Sequence, residues 1–225
     1  MNLSITVFLI IITVGISLLA FNKEEVMDKL IFYPPAISER NGWYRFISCG
    51  FIHADVPHLV FNMYALYLFG SGVESRFTGI FAEKGKLLYL LMYITALAAS
   101  ILPTYLKNKT NYHYRSLGAS GAVSAVVFCF MLFEPLIGIG LVFIPVYISG
   151  FLFGIIYLAV SYALDKRGGG RINHSAHIWG ALYGLVFVIV CCKFFADYAV
   201  LEDFIEKIKN IDPSQIIRFG GGQTG

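Results

Sequence analysis

The charges in this 225-residue chain avoid six long stretches, and that avoidance constrains the fold more than any other feature. Residues 1–22, 56–73, 87–106, 116–133, 135–164 and 172–192 contain no Asp, Glu, Lys or Arg. Together they hold 129 residues, so the other 96 carry all 31 charges. A bilayer-spanning helix needs roughly 17–25 apolar residues. Six such windows predict an all-α, multi-pass membrane protein. Composition agrees: 57% of residues are hydrophobic and 14% are charged, against about 25% charged in a soluble domain. A soluble chain of this size could not cover so much apolar surface.

Several other classes are excluded on the same page. The net charge of +3 is too small for a nucleic-acid footprint. Cys49, Cys129, Cys191 and Cys192 show no disulfide or CxxC spacing and read as core thiols. The first apolar run has no basic leader region and no clear cleavage site before Lys23, so it reads as a retained span.

The six spans are placed at about 3–20, 57–73, 87–105, 117–133, 146–164 and 174–195. Pro145 divides the window 135–164 into a loop and the fifth span. A large loop, 21–55, joins the first two spans; its nine charges and its Trp43 and Tyr44 suit an interfacial position. The stretch 165–171 reads as a flexible connection. The bundle is thus expected over 1–197. Residues 198–225 form a short amphipathic segment, with Val200, Leu201, Phe204, Ile205 and Ile208 at helical spacing, and then a flexible tail from Asp212. Lys and Arg number seven on the side of the termini and ten on the other, a weak bias placing the termini outside.

Polar residues are expensive in hydrocarbon, so a recurring cluster of them needs a reason. The second, fourth and sixth spans run in the same direction, and each carries polar residues near its N-terminal end. These are His58 and Asn62, then Ser120 between Gly118 and Gly121, then His174, Ser175 and His177. His58 and Asn62, four apart, share a helix face. Topology alone brings a hydroxyl, imidazoles and an amide into one layer. Small residues let backbones approach closely in membranes. Gly180 and Gly184 follow His177, and Gly121 and Ala125 follow Ser120, so the fourth and sixth spans are expected to touch. A serine nucleophile needs a base, usually histidine, and the oxyanion needs preorganised donors. His58, the Asn62 amide and the Ser120 backbone N–H are groups of that kind. No acid lies in any window, so a Ser–His dyad is the simplest arrangement. Taken singly, each residue has a plainer reading: Ser120 bonding its own backbone, the histidines packing, Asn62 holding helices together. Glu74 and Glu134 read as interface residues at helix ends.

At these residues the sequence resembles the rhomboid family of intramembrane serine proteases. Residues 43–74, WYRFISCGFIHADVPHLVFNMYALYLFGSGVE, carry an Arg-containing loop and then H-x4-H-x3-N as His53, His58 and Asn62. GASG at 118–121 resembles the family's G-x-S-G, and AHIWGALYG at 176–184 its A-H-x-x-G-x-x-x-G. The resemblance covers roughly 43–190. It implies a six-helix bundle that hydrolyses transmembrane protein substrates within the lipid bilayer, without a cofactor or metal. Ser120 would be the nucleophile and His177 the base, with His58, Asn62 and the Ser120 amide as the oxyanion hole. It also implies cytoplasmic termini, and the expected location is a bacterial inner (plasma) membrane. One departure is Ser124, one turn after the nucleophile, where the family often has an aromatic residue packed on the catalytic histidine. A hydroxyl there is expected to orient His177 by a hydrogen bond, or to support it more loosely. The alternatives are a non-catalytic rhomboid-like binding protein and a His-using transporter or haem protein.

Overall fold

The computed structural model describes residues 4–140, 145–168, 170 and 172–220. The fold is mostly helical. Its long helices are α1 (Ile5–Asn22), α5 (Val56–Phe81), α6 (Gly85–Asn108), α7 (Ser120–Phe133), α8 (Gly150–Arg167) and α9 (His174–Phe195). Between α1 and α5 lie three short helices, α2 (Glu24–Leu30), α3 (Pro34–Arg40) and α4 (Arg45–Ser48), and α10 (Val200–Lys209) follows α9. Among the described residues, three stretches are long and apolar enough to cross a membrane: Ile5–Asn22, Val56–Asn108, which holds α5 and α6, and His174–Phe195. α7 is apolar but shorter. Its 14 residues make a rod of about 21 Å, less than a hydrocarbon layer of about 30 Å.

α7 is the centre of the molecule. Eleven of its fourteen residues are buried, among α5, α6 and α9. Its closest neighbour is α9, and the reason is steric. A Cβ on Gly180 would overlap the carbonyl of Gly121, and one on Gly184 would overlap that of Ala125. Only glycine at both positions lets the two backbones touch, as the small-residue pairs predict.

The segment between α1 and α5 is no loose loop. Phe32, Ile37, Phe46 and Cys49 form their own buried cluster with Ile101 and Tyr105 of α6. The Arg45 guanidinium donates to the carbonyls of Asp28 and Ile31 (2.8 and 2.6 Å). All four cysteines are buried and unpaired.

Three expectations need correction. The second span does not stop before Glu74; α5 runs on to Phe81. Glu74 is buried within it and accepts from Ser4 Oγ, Thr6 Oγ1 and the amides of Ile5 and Thr6 at the start of α1. Those first-turn amides have no partner within their own helix, so a carboxylate is a fitting one. Arg76, also within α5, pairs with Glu134, the residue that follows α7.

The fold is also not wholly α. Residues 146–149 are a strand rather than the start of a helix. β1 (Gly138–Gly140), β2 (Val146–Ser149) and β3 (Ile217–Phe219) form an antiparallel sheet in that order. Branched and aromatic Val146, Tyr147 and Ile148 favour extended backbone, and α8 begins only at Gly150.

The tail is the third correction. Asp212 to Gly220 carries regular structure, with Ile217–Phe219 paired to β2 and Arg218 donating to Leu136 O. Residues 221–225 lie outside the described residues, as do Gly169 and Arg171 of the expected flexible connection.

Candidate active site

The site is built where the segment before α7 meets the residues before α5. Residues 114–119 are not helical, and they are pinned from outside. Phe32 and Ser116 exchange backbone hydrogen bonds, and the Gly118 amide donates to Cys49 O (2.9 Å). Gly118 has φ of +113°, a conformation that favours glycine. Its missing side chain matters twice, because a Cβ there would lie 2.7 Å from His58 Cε1 and 3.0 Å from Nε2. The Cε1–Nε2 edge of His58 therefore packs against the turn that leads into Ser120.

Ser120 is the first residue of α7, and no side chain caps the helix. The first-turn amides of Ser120, Gly121 and Ala122 lack intrahelical partners, and the positive end of the helix dipole points the same way. Ser120 and His58 are half-buried, and Asn62 is buried. Asn62 Nδ2 donates to His58 O (2.9 Å), one turn back on α5. That engages one of its two amide hydrogens and leaves the other.

His177 stands in the first turn of α9, three residues before Gly180. Since Gly180 abuts Gly121, His177 and Ser120 flank the closest approach of α7 and α9. The start of α9 is fixed by Asn173, which accepts from the Ala176 amide (3.1 Å) and pairs with Thr104 Oγ1 on α6. Among the described residues, neither ring nitrogen of His177 has a hydrogen bond, and the Ser120 hydroxyl does not reach it. The His174 and His177 rings meet edge to face at 5.7 Å. A cavity of about 510 Å³, lined in part by Ser116, Asn173, His174 and Ser175, opens beside this layer.

Ser124 does not orient His177 by a hydrogen bond. Its Oγ lies 2.9 Å from the Tyr157 hydroxyl of α8. Gly180 abuts the Gly121 backbone and Gly184 that of Ala125.

One residue quoted only as part of a motif turns out to be structural to the site. His53 is fully buried. Ser17 Oγ donates to Phe51 O (3.0 Å), so the hydrogen on His53 Nδ1 points to Ser17 Oγ (3.0 Å). His53 Nε2 is then the acceptor for the Ala119 amide (3.4 Å). A neutral imidazole thus links α1 to the residue before Ser120. Its ring meets His58 edge to face at 5.0 Å. The signal available in the sequence was its place five residues before His58, but its partners lie 36 and 66 positions away. Asn173 could have been found as a helix N-cap; Thr104 could not.

Burial, and then the nearby His58, push His53 from its ordinary 6.5 down to about 4. The unfolded chain therefore takes up a proton that the native state refuses. Stability from this group is complete above about pH 6.5 and is lost as the pH falls toward 4. The unfolding midpoint in detergent is expected to drop across that window. His53→Leu should flatten the drop, and should lower stability at pH 7.5 by about 1–3 kcal/mol, because the Ala119 amide is left unpaired. An equally steep pH dependence in the variant would contradict this.

Comparisons with known proteins come from an independent direction. Residues 40–194 match the family described as Rhomboid domain. The chain is 30% identical to the zebrafish (Danio rerio) protein named presenilin-associated rhomboid-like protein A, mitochondrial, over 78% of this chain and 45% of that one. It is 30% identical to RHOMBOID-like protein 12, mitochondrial, of Arabidopsis thaliana, over 60% of this chain and 42% of that one. The same identity holds for rhomboid-like protein 11, chloroplastic, of Arabidopsis thaliana, over 68% and 54%. The chain spans about half the length of the curated relatives it matches. The expected bacterial inner membrane is overturned by these names, which place the relatives in mitochondria and chloroplasts. Nothing in the residues themselves had distinguished one membrane from another.

Proposed function

The chain belongs to the rhomboid family, and from that premise we propose that it is an intramembrane serine endopeptidase using Ser120 and His177. The observation that carries the reading is the contact of Gly180 with Gly121, which brings the start of α7 and the first turn of α9 together. In this reading the bundle spans 1–197 and crosses an organellar membrane six times, through α1, α5, α6, α7, α8 and α9. The shortness of α7 then has a use. Its N-terminus begins within the bilayer, and the irregular backbone before it is tolerated because protein surrounds it. Residues 198–220 are an attachment on the opposite face, fastened where Lys207 Nζ donates to Phe133 O (2.8 Å).

The proposed chemistry needs no other group. Ser120 Oγ attacks the scissile carbonyl as His177 takes its proton. The oxyanion is met by the Ser120 amide, the free hydrogen of Asn62 and the His58 ring, at the positive end of α7. The C–N bond breaks as His177 returns the proton to the leaving amine. Water then hydrolyses the acyl-enzyme, with His177 again as base. Substrates in this reading are transmembrane segments of other proteins. Asn62→Ala should lower cleavage by about tenfold or more while the fold is kept.

A second reading is a non-catalytic rhomboid-like binding protein. It is favoured by the absence of a Ser120–His177 hydrogen bond, although catalytic hydrogen bonds often close only around substrate. Labelling with a fluorophosphonate separates the two. The protease is labelled, and Ser120→Ala is not; a wild-type protein that neither labels nor cleaves a transmembrane reporter is a binding protein.

A further inference from the structure

The His177 ring has neither a carboxylate nor any other hydrogen-bond partner among the described residues, so its orientation must come from packing. One face is covered: the Tyr157 ring of α8 stacks on it, with centroids 6.1 Å apart and planes 25° from parallel. One edge meets His174. Tyr157 is itself held from three sides. Its hydroxyl is 2.9 Å from Ser124 Oγ on α7. Its ring lies 5.6 Å from Phe128 of α7 and stacks at 6.1 Å on Phe153, one turn earlier on α8. Gly154 makes this possible, since a Cβ there would already touch Met131 Sδ at 3.3 Å and Phe128 at 3.4 Å. α8 is otherwise sparsely packed, with only Gly150, Gly154 and Ser161 of its 18 residues buried.

We propose that Tyr157 is a positioning residue for His177, setting the plane of the imidazole from α8, while Ser124 acts only by holding the Tyr157 hydroxyl. The proposal rests on the protease reading for its effect on rate, and on geometry alone for the stack. A general base must present its nitrogen to the serine in the right plane, and an imidazole with one open face can turn about its side-chain bonds. The aromatic wall removes that freedom. A pair of stacked rings has an intrinsic preference of this kind.

The test compares wild type, Tyr157→Phe, Tyr157→Leu, Ser124→Ala and the Ser124→Ala/Tyr157→Phe double variant in liposomes. Phe keeps the ring, so Tyr157→Phe and Ser124→Ala should each stay within about threefold of wild-type kcat. The double variant should be no slower than the slower single, because both remove one shared bond. Tyr157→Leu should lower kcat by about tenfold or more, with KM within about twofold, at a temperature where it is as fully folded as wild type. A Tyr157→Leu variant with wild-type kcat, or one whose loss lies in KM, overturns the proposal, as does a Phe variant no better than Leu. The geometry has its own readout. NMR of ring-labelled histidine should show a ring-current shift on His177 that Tyr157→Phe keeps and Tyr157→Leu loses; no such shift overturns the proposal even if the protein cleaves nothing. Cleavage that survives Ser120→Ala would instead sink the protease reading and leave the stack standing.

Discussion

Ser120→Ala is expected to abolish cleavage of a transmembrane reporter by the purified protein in liposomes, with a loss of about 10⁴-fold or more in kcat. The size follows from the proposed chemistry. Without the hydroxyl no acyl-enzyme forms, and what remains is the contribution of the oxyanion donors and of binding. The fold should not notice, because the Ser120 side chain makes no hydrogen bond among the described residues and starts a helix whose burial lies on other residues. Reporter binding and the unfolding midpoint should therefore match wild type. His177→Ala should behave alike, and the double variant should be no worse than either, since the two act as one unit. Cleavage by Ser120→Ala at more than a few per cent of wild type would end the enzyme reading.

The second large effect is expected from Gly180→Ala, a single added methyl. The atom it would meet is the Gly121 carbonyl, which is backbone and cannot swing aside. α7 and α9 must move apart, at a cost of about 1–3 kcal/mol. Because Gly121 follows Ser120 and His177 precedes Gly180 by one turn, the same displacement opens the proposed dyad. A shift near 1 Å there is worth about 10²-fold in rate. Gly184→Ala is the control. It strains the same interface against Ala125, one turn farther from the site. Equal stability losses with a much larger loss of activity in Gly180→Ala would tie the contact to catalysis; equal losses of both would make it packing alone.

The bundle was legible in the sequence because hydrocarbon tolerates so few charges, and their gaps mark helices directly. The exceptions were the charges whose partners lie far along the chain. Glu74 looked like a helix end, yet it sits within α5 because the start of α1 supplies four donors to it. Val146–Ile148 is an apolar run of a length that fits strand or helix equally; only its pairing with Gly138–Gly140 and Ile217–Phe219 decides. For the site, the approach of His58 to the turn before Ser120, and of the first turn of α9 to the start of α7, could be argued from helix direction. The glycine contacts could be argued from spacing. What surrounds the histidines could not. His53 faces Ala119 through a turn that no periodicity describes, and Tyr157 is one more aromatic on an apolar helix until Ser124 and His177 are beside it.

The small sheet has a consequence for biosynthesis. β2 leaves the ribosome long before β3, with α8, α9 and α10 translated in between. Until then one edge of the β1–β2 hairpin has unpaired backbone groups, the kind of edge that pairs with strands from other chains. Closure of that edge is thus a late, non-local event. A stop codon just after Lys209 would leave every long helix in place but the hairpin permanently open. Such a product should self-associate through this edge while its Ser120 layer, at the other end of α7, is still built.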